Sequence, residues 1–282
     1  MKKKIILLKI NIINIMESNN KDTLTKSSEI DYYSIESSSE KRDIFIKDYN
    51  TLNIKNYNRK TSFNAIMITN DNMVIIAERK FSYYMDTIYL ISKYKTVTIN
   101  ILETFIKLFD KLTYREKSII FNKKKINKKY ASIINFIDVN FNGNIKNKYL
   151  EYIHNHKPRF VLNNNRCRDK FLILPGGKKN SNEDIDDVIA RESHEEINIP
   201  LTSNNVIDIN QDYYSETIIY DKILSKTFID VTIIAKIKYS SAQILNFFKP
   251  NHEISNITFI PINKIASMIH LLHYVQEQLI CC

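Results

Sequence analysis

Short apolar runs bounded by turn-forming residues mark both ends of the chain's central region, and a helical period fills the stretch between them. Residues 63–69 and 73–77 flank Asn70-Asp71-Asn72, the arrangement expected of a β-hairpin. From 86 to 158 the pattern turns mostly helical. Ile101, Leu102, Phe105, Ile106, Leu108 and Phe109 keep helical spacing, and Thr113 with Glu116 has the spacing of a capping box. Extended runs resume at 171–174, 216–220 and 228–237; 241–248 reads as a helix, 257–262 as a strand, and 264–279 as a docked amphipathic helix. The pattern predicts an α/β domain over residues 43–282, interrupted at 86–158 by a helical insertion too long for a loop and therefore a subdomain.

Residues 1–42 read as an N-terminal extension. Positions 17–42 are rich in Ser, Asn, Glu and Lys, including Ser37-Ser38-Ser39, and predict a poorly ordered linker or loosely packed arm. Lys2 to Lys4 followed by Ile5 to Leu8 imitates a signal peptide, but Lys9, Asn11 and Asn14 break the apolar stretch and no small-residue cleavage site follows. Met16 is an alternative start. The run is too short to span a membrane. Cys281-Cys282 has the form of a double-cysteine lipidation signal, yet it follows a docked helix rather than a flexible tail, so membrane association is not expected.

With 44% hydrophobic residues the chain can bury a sizeable core. Its three cysteines, Cys167, Cys281 and Cys282, form neither a disulfide framework nor a metal-ligand spacing, which favours a cytoplasmic setting. The net charge of +10 suits a polyanionic partner. Lys123, Lys124, Lys125, Lys128 and Lys129 form a concentrated patch, read either as a path for RNA phosphates or as a solvated charge run.

Two of only three glycines stand together at Gly176 and Gly177, opening LPGGKKNSNEDIDDVIARESHEEINI. The apolar run before Pro175 predicts a strand, and Pro175-Gly176-Gly177 predicts a tight turn or a close backbone approach. Beyond a polar loop, Ile185, Val188 and Ile189 recur at helical spacing and should face the core. Glu192, Glu195 and Glu196 then fall at i, i+3 and i+4, placing three carboxylates on one face within a turn. They lie near the helix C-terminus, where the macrodipole disfavours negative charge. A solvated acidic helix end, with Arg191 pairing locally, is one reading. A hard divalent cation on carboxylate oxygens, Mg²⁺ or Mn²⁺, is the other. His194 points away from these glutamates by helical geometry and reads as structural.

From Gly177 the cassette runs five residues to Glu183, seven more to Arg191-Glu192, and two more to Glu195-Glu196, which resembles the pattern of the Nudix hydrolases. Ser193 stands where that pattern has an apolar residue and Asn198 where it has a glycine; Asn is the next most tolerant residue in the left-handed conformation required there. The blocks at 62–66 and Asp71, Arg79 to Tyr83, Pro175 to Gly177, Arg191 to Ile199 and Pro250 to Ile254 are similar to the mRNA-decapping branch of that superfamily found in poxviruses, over residues 62–262. The resemblance implies a Nudix fold, a mixed β-sheet sandwiched by helices, with a helical insertion. It implies metal-dependent hydrolysis of the 5′ cap of mRNA, with 7-methylguanosine diphosphate and 5′-monophosphate RNA as products in the cytoplasm of an infected cell. Capped mRNA is the implied partner and no obligate protein partner is. By resemblance Glu183, Arg191, Glu195 and Glu253 carry catalysis, with Glu183 and Arg191 bracing loop and helix and Glu253 an extra ligand or the general base. Glu192, Glu195, Glu196 and Glu253 hold Mg²⁺ or Mn²⁺, with Gly177 in the same metal-site set. Tyr83 and Phe228 wall the cap, and Asp221 and Asp43 read the base edge, since a methylated, positively charged guanine favours aromatic stacking and a nearby carboxylate. A Nudix hydrolase of free nucleotide derivatives, a silent RNA-binding module, and a structural or membrane-associated role resting on the two ends are the rival readings.

Overall fold

The computed structural model describes residues 31–37, 39–57, 61–121, 128–141, 143–155, 171–200, 208–265, 268, 270–272 and 275. The chain divides into two compact units, one of residues up to Arg79 and from Leu172 to Ile280, the other of Lys80–Phe171.

The first unit is built on a ten-stranded mixed sheet. Its strands are β1 (Asp31–Glu36), β2 (Glu40–Asp48), β3 (Ser62–Ile68), β4 (Met73–Arg79), β5 (Phe171–Ile173), β6 (Gly176–Lys178), β7 (Asp208–Ile209), β8 (Tyr213–Asp221), β9 (Lys226–Lys236) and β10 (Ile254–Pro261). The main order is β1-β2-β8-β9-β3-β4-β10, with β5 on β4, β6 on β3 and β7 on β9. The β3–β9 pairing is parallel, while β1–β2, β2–β8, β8–β9, β3–β4, β3–β6 and β4–β10 are antiparallel. The expected hairpin forms with Asn72 at φ 58°, a conformation Asn tolerates.

Alternation along β3 and β4 feeds two cores. Phe63, Ala65, Met67, Ile75 and Ala77 face one side, where they pack with Val188, Ile189 and Ile197. Ile66, Ile68, Val74 and Ile76 face the other, with Ile44, Met268, Leu271, Leu272 and Val275. The last four are helical and three or four residues apart, as the amphipathic pattern over 264–279 predicts. Helices therefore cover both faces of the sheet, the layering of an α/β unit.

One boundary moves. Residues 31–42 were expected in a loosely ordered arm, but β1 and β2 form an antiparallel ribbon, and β2 adds itself to β8 from Glu40 to Asp48. The polar composition misleads because this ribbon lies at the sheet's edge, where alternating polar positions face solvent while Ile44 and Ile46 still reach the core. Residues 1–30, including the basic start and Met16, lie outside the described residues, as do Cys167, Cys281 and Cys282.

The second unit is helical, with α1 (Tyr83–Ile91), α2 (Ile99–Asp110), α3 (Tyr114–Phe121), α4 (Lys128–Asn140) and α5 (Asn144–Asn155). Phe105, Leu108 and Phe109 are the buried face of α2, and Phe105 stacks within 4.7 Å of Phe136 and 5.8 Å of Phe109. The capping box forms: the Glu116 backbone N–H donates to Thr113 Oγ1, and Glu116 Oε2 accepts from the Thr113 N–H. Glu116 does more than local capping. It is 1% exposed, and its other oxygen accepts the Ser82 N–H at 2.6 Å, tying the start of α1 to the start of α3. Among the described residues no helix is long and apolar enough to cross a membrane.

Candidate functional site

The glycine pair works by close approach. β6 runs beside the start of β3, with Gly177 opposite Phe63 and Gly176 opposite Asn64. A Cβ on Gly176 would meet the Phe63 carbonyl oxygen at 2.3 Å and the Asn64 Cα at 2.5 Å; on Gly177 it would meet the Glu192 carboxylate at 2.2 Å. The missing side chains let the sheet edge and the acidic helix touch.

That helix, α6 (Ile185–Ile197), starts at a complete capping box between Asp184 and Asp187 and ends at Asn198 in the left-handed conformation, φ 59°. Asn198 thus does the work of a glycine and also donates from its side chain to the Phe247 carbonyl. Ser193 is fully buried, and its hydroxyl is satisfied by the Ile189 carbonyl one turn back. Neither departure from the motif disturbs the helix. His194 is exposed.

Arg191 braces loop to helix. Its Nε and Nη2 grip both oxygens of Glu183 at 2.7 and 2.9 Å, Nη1 reaches Glu192 Oε1 at 2.6 Å, and Nη2 also donates to the Lys178 carbonyl at 2.7 Å. The Arg191 guanidinium, with the Asn180 donors, holds the Glu183 carboxyl down to about 2. Those carboxylates in turn push Arg191 further up.

The remaining acids are held under strain of charge. Glu196 is buried and accepts the Gly176 N–H at 3.0 Å; burial pushes its carboxyl up to about 8, the Glu253 and Glu192 charges adding to the effect while Gly176 and Arg79 oppose it. Burial also raises Glu192, against the pull of Arg191, and Glu195 and Glu253 contribute in the same sense. Glu195 is the outer member, its side chain 59% exposed and 3.6 Å from Arg191. Glu253 arrives from the loop before β10, and Asn251 positions it. The Asn251 side chain donates to the Glu195 and Glu196 carbonyls at 2.9 and 3.0 Å and accepts the Glu253 N–H at 2.9 Å. Arg79, closing β4, donates from Nη2 to Glu253 Oε1 at 2.7 Å.

Glu192 and Glu196, both raised chiefly by burial, together with Glu195 and Glu253 offer hard oxygen donors that fit a divalent cation chemically. Among the described residues no three such side chains stand ready to hold one as they are. Glu192 is engaged by Arg191 and Glu253 by Arg79.

The sites expected for base and RNA are distributed differently. Phe228 is half-buried on β9 and shares a row with Ile219 and Arg42. Asp221 is two rows away and so on the same face, but its Oδ1 accepts the Ile223 and Leu224 N–H groups and closes the β8–β9 turn. Asp43 pairs with Ile218, the row of Ile229, so strand alternation puts it on the opposite face from Phe228; it accepts there from Tyr32, Ser34 and Lys41. Sequence reasoning missed Glu40 and Arg42. Glu40 stands directly across from Asp221, and Arg42 grips both Glu40 oxygens at 2.6 and 3.1 Å. The polar alternation from Glu40 to Ile46 was the available signal. Tyr83 begins α1 in the helical unit and is 43% exposed. Lys123, Lys124 and Lys125 lie outside the described residues. Lys128 is exposed, while Lys129 is paired with Asp86 and lies over the Phe81 and Tyr89 rings.

No protein-family profile matches the chain. Curated proteins do. The mRNA-decapping proteins OPG122 of Monkeypox virus and of Vaccinia virus (strain Western Reserve) are each 24% identical to it, over 208 and 206 residues and 73% of this chain. The chain spans 66% of those two relatives, just under two thirds of their length. The mRNA-decapping protein D10 of Fowlpox virus (strain NVSL) is 29% identical over 198 residues, 65% of this chain and 80% of the relative.

Proposed function

We propose that this chain, which belongs to the family of the poxvirus mRNA-decapping proteins, is a Nudix-type hydrolase that removes the 5′ cap of mRNA with the help of Mg²⁺ or Mn²⁺. The observation that supports this reading is that Glu192 and Glu196 both lie against the Gly176-Gly177 turn, with the Glu253 charge acting on each and Arg191 locking Glu183 to the helix. Glu192, Glu195, Glu196 and Glu253 would hold the divalent ion, which when bound would supply charge withdrawal from phosphorus and a water of lowered pKa.

The chain's own groups do the rest. Gly177 lets the Glu192 carboxylate lie flat against the turn, the Gly176 N–H orients Glu196, and Asn251 fixes Glu253 relative to the end of α6. Glu195, the most exposed of the four, would take a proton from water entering from solvent. Phe228 offers aromatic surface for a methylated guanine, and the carboxylates sharing its face of the sheet, Asp221 and Glu40, offer acceptors for the base edge. The expected products are 7-methylguanosine diphosphate and RNA with a 5′ monophosphate. The net charge of +10 favours a long polyanion over a free nucleotide. The test compares capped RNA with free cap analogue and with dinucleoside polyphosphates at equal concentration. Faster turnover of capped RNA by tenfold or more supports the proposal; equal or faster turnover of the small compounds assigns the chain to free nucleotides.

A further inference from the structure

We infer that Arg79 is a phosphate-binding residue of this site, exchanging its hold on Glu253 for a phosphate oxygen of the substrate. The inference rests on reading the acidic set as a phosphate-processing centre, but not on which phosphate compound is processed. Arg79 closes β4 opposite Ile254, and alternation with Ile75 and Ala77 puts it on the α6 side of the sheet. Its charge reaches Glu196, whose proton affinity it lowers, and its Nη2 lies 2.7 Å from Glu253. A guanidinium among carboxylates that gather a cation works against that cation. Its presence makes physical sense where an anion must be held at the same point.

Arg191 cannot fill that role, since its Nε, Nη1 and Nη2 are committed to Glu183, Glu192 and the Lys178 carbonyl. Nor is Arg79 needed to fix the loop that carries Glu253, because Asn251 already bonds that loop to α6 and to the Glu253 backbone. The Arg79–Glu253 pair is partly open, with side chains 21% and 38% exposed, and ion pairs so placed contribute little. A phosphate matches the planar fork of arginine and can take parallel charge-assisted bonds from it, as a carboxylate can. Exchange therefore leaves the guanidinium with an anionic partner when a phosphate arrives.

The experiment measures binding of Mn²⁺ alone, and of inorganic pyrophosphate in the presence of Mn²⁺, by calorimetry on the full chain, with melting temperature alongside. Arg79→Ala is expected to bind Mn²⁺ as tightly as wild type or tighter, and pyrophosphate about 10- to 100-fold more weakly, the range for losing one charge-assisted bond. Arg79→Gln, which keeps a donor for Glu253 without the charge, is the second variant should alanine fail to fold, and is expected to behave the same way. Unchanged pyrophosphate affinity in a folded variant overturns the inference. So does a parallel fall in melting temperature and Mn²⁺ affinity in Arg79→Gln, which marks Arg79 as a brace. If pyrophosphate binding depends on Arg79 while capped RNA is not cleaved, the inference stands and the decapping proposal falls.

Discussion

Alanine at Gly177 and alanine at Gly176 should fail in different ways, because the atoms each new Cβ meets differ in their freedom to move. At Gly177 the obstruction is the Glu192 carboxylate, at 2.2–2.6 Å, the far end of a flexible side chain. An ordinary contact needs about 3.4 Å or more, so the carboxylate must retreat by roughly 1 Å, giving up its 2.6 Å bond to Arg191. The partly exposed pair contributes at most about 1 kcal/mol, so Gly177→Ala should stay folded. If Glu192 is a metal ligand as proposed, however, a displacement of about 1 Å there is worth on the order of 100-fold in rate. At Gly176 the obstructions are backbone, the Phe63 carbonyl at 2.3 Å and the Asn64 Cα at 2.5 Å, and φ is 155°. Overpacking and backbone strain together should cost roughly 2–5 kcal/mol, a large part of a stability of about 5–15 kcal/mol. Thermal denaturation and hydrolysis on both variants decide the matter. The reasoning is refuted if Gly177→Ala keeps full activity, or if it melts as early as Gly176→Ala.

Three further outcomes follow from the charges and the buried carboxylate. Glu183 is held at about 2 by Arg191, below its ordinary 4.5, so its contribution is complete above about pH 4.5 and is lost as pH falls towards 2; Arg191→Gln should move acid unfolding to higher pH, seen by circular dichroism. Glu196 is raised to about 8, so the metal-free protein should be most stable while that carboxyl is protonated and lose stability as pH rises from about 5 through 8. Glu196→Gln should flatten that slope, and Mn²⁺ added at pH 8 should stabilise the wild type more than the variant; equal slopes in urea titrations contradict the assignment. Glu116→Gln puts an amide nitrogen where an oxygen now accepts from Ser82 or Thr113, at a cost of roughly 2–3 kcal/mol, and should raise amide exchange at the starts of α1 and α3.

How legible each part was depended on whether its partners are near in sequence. α6 was readable throughout because its cap, apolar stripe, acidic turn and terminal Asn198 follow from local spacing. The Thr113–Glu116 box was readable for the same reason, whereas the bond from Glu116 to Ser82 spans 34 positions and left no periodic trace. Arg79 and Glu253 stand 174 residues apart, and only the β4–β10 pairing reveals them as neighbours. Phe228 and Asp43 show the limit most clearly. Which face each occupies depends on a register shared by three strands, and a shift of one residue in β2 exchanges Asp43 for Arg42. Reading residues 31–42 as a loose arm removed the strand that sets that parity.

The most direct test of the decapping proposal uses RNA labelled within its cap, incubated with Mg²⁺ or Mn²⁺ and either the wild type or the double variant Glu195→Gln with Glu196→Gln. Release of 7-methylguanosine diphosphate by the wild type, lost in the folded double variant, is the predicted result. Capped RNA left intact by the wild type, or cleaved equally well by both proteins, contradicts it.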